Sequence, residues 1–397
     1  MEKNSKIYIA GHRGLVGSAI VQELRLQGYG NLIFKTHDEL DLINQQAVDE
    51  FFKKEKPEYV FLAAAKAGGI MANNTYRADF IYENLQIQCN VIHSAYKYNV
   101  KKLVFIASTV IYPKNASLPT NEEQMLTGEL EFTNMPYSIA KIAGLTMCES
   151  YNLQYKTNFI SVAPINLYGS NDKFDLEKSH VLPALIKKMH LAKLLSESKY
   201  EELLEDLGYG DIDEALKYLN GYNVSRDSVE IWGSGLQTRE FLHSDDLAQA
   251  CIYIMKHVDF KDLYQKDEKE VKNTHINIGV NKNISIKELA YLVKKVVGFK
   301  GELFFNTSKP DGFKDKLTDC SKIHSLGWKH KIELEEGIKM MYEWYKNNKG
   351  IQDKTTDQQK MGGGILSFEY INFTDIQSFC ANNVYYFASS TQRICNA

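Results

Sequence analysis

The sequence predicts an α/β protein, a doubly wound parallel sheet carrying a smaller C-terminal α/β lobe. Three observations predict it. Short, almost wholly apolar runs alternate with helical patterns through the first 165 residues, as in strands buried on both faces. The first such run passes straight into a glycine-rich turn and then a helix. The 397 residues, 44% hydrophobic and 24% charged, exceed one small domain and supply a sizeable core.

The elements follow in order. KIYIA (6–10) leads to a helix pattern over Leu15–Gln27. LIFKT (32–36) precedes a polar helix around Gln45–Lys54, and YVFLAAA (59–65) precedes a long helix from about Tyr76 to Tyr98. KLVFIAS (102–108) and NFISVAP (158–164) bracket a helix over Tyr137–Tyr155. Right-handed crossovers turn this alternation into a Rossmann-like sheet. Beyond residue 165, helix patterns occupy 181–195, 199–219, 244–257, 285–297 and 334–347. VEIWG (229–233) and INIG (276–279) read as strands. The expected division is a nucleotide-binding domain over 1–168 with returns near 229–257, and a substrate lobe over 169–347. Residues 348–397 form a linker and tail. GIQDKTTDQQKMGGG is polar and glycine-rich, and ILSFEYINF and NVYYFASS suit strands or an adhesive tail.

Composition excludes several functions. Lys plus Arg is 47 and Asp plus Glu is 50, a net charge of −3, so no global basic field for nucleic acid exists. No apolar run approaches the ~18 residues of a membrane span. The run Ile7–Ala10 ends at His12 and Arg13, too short for the core of a signal peptide. The six cysteines, Cys89, Cys148, Cys251, Cys320, Cys380 and Cys395, show no CxxC spacing. Reduced thiols in a cytoplasmic protein are expected, with no zinc or other metal site.

Gly11, Gly14 and Gly17 stand at three-residue spacing between the first strand and helix, with Arg13, Leu15 and Val16 among them. A backbone without Cβ approaches a pyrophosphate, and the helix start offers free N–H groups. At the end of the second strand stand Lys35, Thr36 and His37. With Arg13 they suit a ribose 2′-phosphate, favouring NADP. Asp38 and Glu39 follow at once, so NAD stays open.

Ser108 ends the fourth strand, and Tyr137 and Lys141 stand in PYSIAK at i and i+4, on one helix face. A free phenol has a pKa of about 10, and a nearby ammonium and the positive nicotinamide, when oxidised, are expected to lower it. In reduction Tyr137 gives its proton to the forming alkoxide while Ser108 holds the same oxygen and the cofactor supplies hydride.

Glycine loop, serine and YxxxK in this order resemble the extended short-chain dehydrogenase/reductases. GHRGLVGSAI, AAAKAGGIMANNTYRADFIYEN, NMPYSIAKIAG, SHVLPALIKK, IWGSGLQTREFLH and SKPDG resemble the GDP-L-fucose synthase family over about residues 5–347. The resemblance implies that Gly11 to Gly17 bind NADP, with Lys35 and His37 near its 2′-phosphate. Ala63, Ala64, Ala65 and Asn84 would line the cofactor cleft. Lys141 would reach the nicotinamide ribose, and Pro164, Asn166 and Leu167 would flank the nicotinamide. Thr109, Val110, His180, Lys188, Trp232, Arg239 and Asp311 would meet a GDP-linked 4-keto sugar. Trp232 suits stacking and Arg239 a diphosphate. A homodimer through helices 76–98 and 137–155 is also implied.

Two departures stand out. The family epimerises through a cysteine and a histidine. The histidine matches His180, but the cysteine position is Val110, which carries no proton. Segment 195–228 also exceeds the family's usual link. The expected activity is an NADPH-dependent carbon-4 ketoreductase of a GDP-4-keto 6-deoxyhexose or heptose, lacking the 3,5-epimerase and serving a surface sugar. The alternatives are a complete synthase using His180 and another acid, a sugar-nucleotide epimerase or dehydratase, and a non-catalytic cofactor-binding protein.

Overall fold

The computed structural model describes residues 1–348 except 177, 178, 266, 268, 310 and 312–314. The expected tail, with Cys380 and Cys395, lies outside the described residues.

Strand β1 (Ile7–Ala10) is buried throughout and leads through the glycine turn to α1 (Leu15–Leu26). β2 keeps only Leu32–Ile33, shorter than the expected 32–36. The Thr36 amide donates to the Glu39 carboxylate at 2.8 Å, so the backbone turns away from the ladder. α2 (Gln45–Glu55) leads to β3 (Tyr59–Leu62). β3 ends at Leu62, short of the expected 59–65, so Ala63, Ala64 and Ala65 lie beyond it. A short helix, α3 (Ile70–Thr75), precedes α4 (Arg77–Lys97); the sequence pattern had not separated it. β4 (Lys102–Ile106), α5 (Met135–Tyr155) and β5 (Phe159–Pro164) complete the alternation. α5 starts two residues early, because Pro136 fits the first helical turn.

After β6 (Asn166–Tyr168), α6 (Val181–Ser196) begins the second half. The helix expected over 199–219 is two, α7 (Tyr200–Leu207) and α8 (Ile212–Gly221). Gly208, at φ +70°, ends the first, and the Asp211 carboxylate caps the second. Then come β7 (Ser228–Trp232), β8 (Thr238–Arg239), β9 (Phe241–His243) and α9 (Ser244–His257). β10 (Ile276–Ile278), β11 (Ile284–Ser285), α10 (Ile286–Val297) and β12 (Glu302–Asn306) follow. α11 (Ser321–Ser325) and α12 (Leu334–Asn347) end the described chain.

The main sheet has six parallel strands in the order β10-β5-β4-β3-β1-β2. The chain winds outward from β1 to β2 and returns as β3 on β1's other side. The carboxyl ends of β1 and β3 therefore diverge at a switch point, where ligand crevices form. Ile9, Ile20, Leu24, Phe61, Leu247 and Ile254 pack on one face. Tyr8, Phe52, Val91, Phe105 and Leu145 pack on the other. A separate core joins α6, α10 and α12 through Ile186, Met189, Val293 and Met341.

One expected boundary shifts. The returning segment does not begin at VEIWG: β7 pairs in parallel with β12, and Val229 and Ile231 pack in the α6 core. The return runs through α9, whose apolar face packs with α1, and through β10, which adds to β5.

Candidate active site

The glycine turn is built to a tolerance that a Cβ would break. Gly11 has φ +85°, and a Cβ there would sit 2.7 Å from the Ala64 amide nitrogen. A Cβ on Gly17 would lie 2.1 Å from the Gly11 carbonyl oxygen. These contacts bring the first turn of α1, with Leu15 and Val16, against the β1 and β3 ends, beside Ala63 to Ala65. At Gly14, by contrast, the nearest contact would be 3.5 Å away. Gly14 also precedes α1 without a side-chain cap. The helix start thus keeps free N–H donors above an open backbone surface, which fits a pyrophosphate. Asn84 fixes the β3 loop: its Oδ1 accepts from the Lys66 amide, and its Nδ2 donates to the Lys66 and Phe80 carbonyls.

Arg13 is exposed at this edge and has no hydrogen-bond or ion-pair partner among the described residues. Lys35 lies 3.5 Å from Glu39, and His37 lies 3.8 Å from Asp41. Of the two carboxylates that left cofactor choice open, Glu39 is thus occupied within its own turn. Stacking of His12 on Phe34, with centroids 4.8 Å apart, joins the glycine turn to the end of β2.

Ser108, Val110, Tyr137 and Lys141 come together at the β4 end. Ser108 opens a 3-10 turn over Thr109–Ile111. The Ser138 hydroxyl donates to the Val110 carbonyl at 2.8 Å, and Lys141 Nζ donates to the Ile106 carbonyl at 2.8 Å. Two hydrogen bonds therefore hold α5 against the strand end. Lys141 Nζ is 5.7 Å from the Tyr137 ring centroid, and Phe80 meets that ring edge-on at 6.4 Å.

The protein's own groups do not by themselves supply the expected lowering of the phenol pKa. Burial pushes Tyr137 up to about 12 and Lys141 down to about 7. A phenol set in this recess keeps its proton, because desolvation outweighs the pull of the neighbouring ammonium. Pro164, Asn166 and Leu167 follow from β5 into β6. Asn166 Nδ2 donates to the Glu240 carbonyl at 3.1 Å, and Leu167 pairs with Leu242.

His180 holds the N-cap position of α6 without a side-chain capping bond and stays open to solvent. Burial, then nearby Lys173, holds its pKa below the ordinary imidazole value. Lys188 stands two turns further along α6. Trp232 ends β7, Arg239 ends β8, and Asp311 lies on the loop beyond β12. Trp232 is 57% exposed, with Lys309 Nζ 5.2 Å from its ring. Asp311 accepts from the Ser234 amide at 2.7 Å and hydroxyl at 2.8 Å, so it fastens the turn after Trp232. Arg239 donates to the Thr238 carbonyl at 2.6 Å. Sequence reasoning missed Ser138, Phe80 and Lys309. Only Ser138 had a local signal, its place beside Tyr137.

A model of the NAD dependent epimerase/dehydratase family matches residues 7–279. The putative GDP-L-fucose synthase 2 of Arabidopsis thaliana is 52% identical over 348 residues, 88% of this chain and 94% of that protein. This chain belongs to the GDP-L-fucose synthase family of extended short-chain dehydrogenase/reductases.

The enzyme is an oxidoreductase of that family. A GDP-6-OMe-4-keto-L-xylo-heptose reductase from Campylobacter jejuni is 59% identical, with a TM-score of 0.84, covering 88% of this chain and 99% of that one. A GDP-mannoheptose C4 reductase from Campylobacter jejuni, solved with NADP bound, is 58% identical, with a TM-score of 0.80 and coverage of 87% and 99%. Among the described residues, no helix is long and apolar enough to cross a membrane. No group of three or more His, Cys, Asp or Glu among them is placed to hold a metal ion.

Proposed function

We propose that this enzyme is a carbon-4 ketoreductase of a GDP-linked 4-keto sugar, a 6-deoxyhexose or a heptose, that uses NADPH and does not epimerise at carbons 3 and 5. The Ser108–Tyr137–Lys141 cluster carries the reductase reading, beside a helix start that fits a pyrophosphate. The cofactor is NADP, and when bound it supplies the hydride. Arg13, Lys35 and His37 at the cleft edge favour the 2′-phosphate. Tyr137 holds its proton until the substrate oxygen gains charge, then gives it up. Ser108 donates a hydrogen bond to the same oxygen. Lys141, anchored on the Ile106 carbonyl, favours the phenolate as the proton leaves.

Loss of epimerisation rests on Val110. Exchange at carbons 3 and 5 needs one group to remove a proton and another to return it, and a positioned carrier contributes ~10²–10⁴-fold. An isopropyl group does neither. The 6-deoxyhexose-or-heptose assignment draws on curated GDP-L-fucose synthases and on solved heptose reductases. A 4-keto substrate incubated with enzyme in D₂O without NADPH should acquire little deuterium at either carbon. With NADPH, NMR of the product should show an unchanged configuration at both. Rapid deuterium uptake would restore the second reading, a complete GDP-L-fucose synthase, which the 52% identity and the position of His180 favour.

The proposed assembly is a homodimer through α4 and α5. Exposed Tyr82, Ile139, Leu153 and Tyr155 lie on these helices, and the Tyr96 and Tyr155 rings stack at 4.2 Å. The proposed location is cytoplasmic, where the buried free thiols Cys148, Cys251 and Cys320 stay reduced.

A further inference from the structure

The α7–α8 insert is locked to the lobe it borders. Asp206 accepts from the Tyr345 hydroxyl at 2.6 Å and lies 3.5 Å from His190 Nε2. His190 Nδ1 meets the Tyr342 hydroxyl at 2.9 Å. Leu203 and Leu219 are completely buried. The insert therefore presents a fixed surface to its surroundings. On it Tyr209, Tyr218 and Tyr222 form a ladder, with centroids 5.6 and 5.1 Å apart. Tyr218 is close enough to feel the charge of Asp175, on the segment that leads to His180.

At the ladder's other end the insert reaches Lys188. Lys188 Nζ donates to the Tyr222 carbonyl at 3.4 Å and to the Glu230 carbonyl at 3.2 Å. An ammonium has three N–H donors, so two are taken and the direction of the third is set. Lys188 is eight residues beyond His180 on α6, about 12 Å along the axis. A nucleotide sugar with its reacting carbon near Tyr137 and His180 would extend its nucleoside toward Lys188.

We propose that the α7–α8 insert is a specificity element for the purine end of the substrate. Through its carbonyl Tyr222 orients Lys188 toward an acceptor on the base, and the Tyr218 and Tyr222 rings wall that end of the site. The inference rests on the GDP-sugar reading above and adds to it residues of the α7–α8 segment.

The test is calorimetric titration of the NADP-loaded protein with GDP and with UDP, in wild type, in the Tyr218→Ala/Tyr222→Ala variant, which keeps the Tyr222 carbonyl and removes the ring wall, and in Lys188→Met, which removes the ammonium that the carbonyl orients. Each variant should bind GDP about tenfold more weakly and UDP within twofold of wild type, with an unchanged KM for NADPH. A folded variant whose GDP affinity stays within twofold overturns the proposal, as does equal weakening for both nucleotides. If the double variant fails to fold, Tyr222→Ala alone, at a half-buried position, is read by the same criteria. Wild-type protein that binds UDP as tightly as GDP overturns the GDP-sugar reading itself. Wild-type preference for GDP with an unaffected variant overturns only the role of the insert.

Discussion

Tyr137 is placed by its neighbours and charged by none of them. Phe80 sets its ring edge-on, Lys141 sits below it, and burial keeps the hydroxyl protonated to about pH 12. Tyr137→Phe keeps the ring and removes only the proton. Turnover should fall ~10²–10⁴-fold, with NADPH affinity unchanged in a fluorescence titration. Wild-type turnover in this variant would remove Tyr137 from the chemistry.

Glu240 gives a second test at the same scale. It is 2% exposed, its Oε2 accepts from the Thr318 amide at 2.7 Å, and burial raises its pKa from 4.5 to about 7. The folded state then holds a proton that the unfolded chain has released between pH 4.5 and 7. Stability from this group falls as pH rises through that window and is lost above it. The penalty is on the order of 3 kcal/mol at most. Glu240→Gln should melt like wild type near pH 4 and a few degrees higher at pH 8. A constant difference across that range would show that Glu240 does not titrate there.

Among the elements, the β1–α1 junction separates packing from binding. A Cβ on Gly17 meets the Gly11 carbonyl at 2.1 Å, whereas one on Gly14 meets nothing closer than 3.5 Å. Gly17→Ala should therefore cost roughly 1–3 kcal/mol of stability and weaken NADPH at least tenfold. Gly14→Ala should keep the wild-type melting temperature and weaken NADPH alone, because its methyl enters the anion cradle. Thermal melts and cofactor titrations on both variants make the comparison. Equal melting losses would place both glycines in the packing.

At the scale of the whole molecule, α4 and α5 cover one face of the sheet while leaving apolar groups outward. Tyr155 is 42% exposed and Leu153 39%. Light scattering should give twice the chain mass, and Leu153→Lys/Tyr155→Lys should halve it. A wild-type monomer at micromolar concentration would dispose of the dimer.

The sequence by itself determined the alternation, the glycine turn and the Ser108–Tyr137–Lys141 set. Each depends on local spacing: a strand's apolar run, Gly11, Gly14 and Gly17 three residues apart, and two residues one helical turn apart. Tertiary structure decided what spacing does not carry. INIG became the sixth sheet strand and VEIWG left for β12, because strand partners are chosen by burial over long sequence separations. The pKa of Tyr137 rose rather than fell, because desolvation in a packed recess outweighed a lysine that is itself desolvated. Asp311 was bound to the Ser234 turn and Lys188 to the insert's carbonyl, because side-chain partners 77 and 34 residues away are set only when the chain has closed on itself.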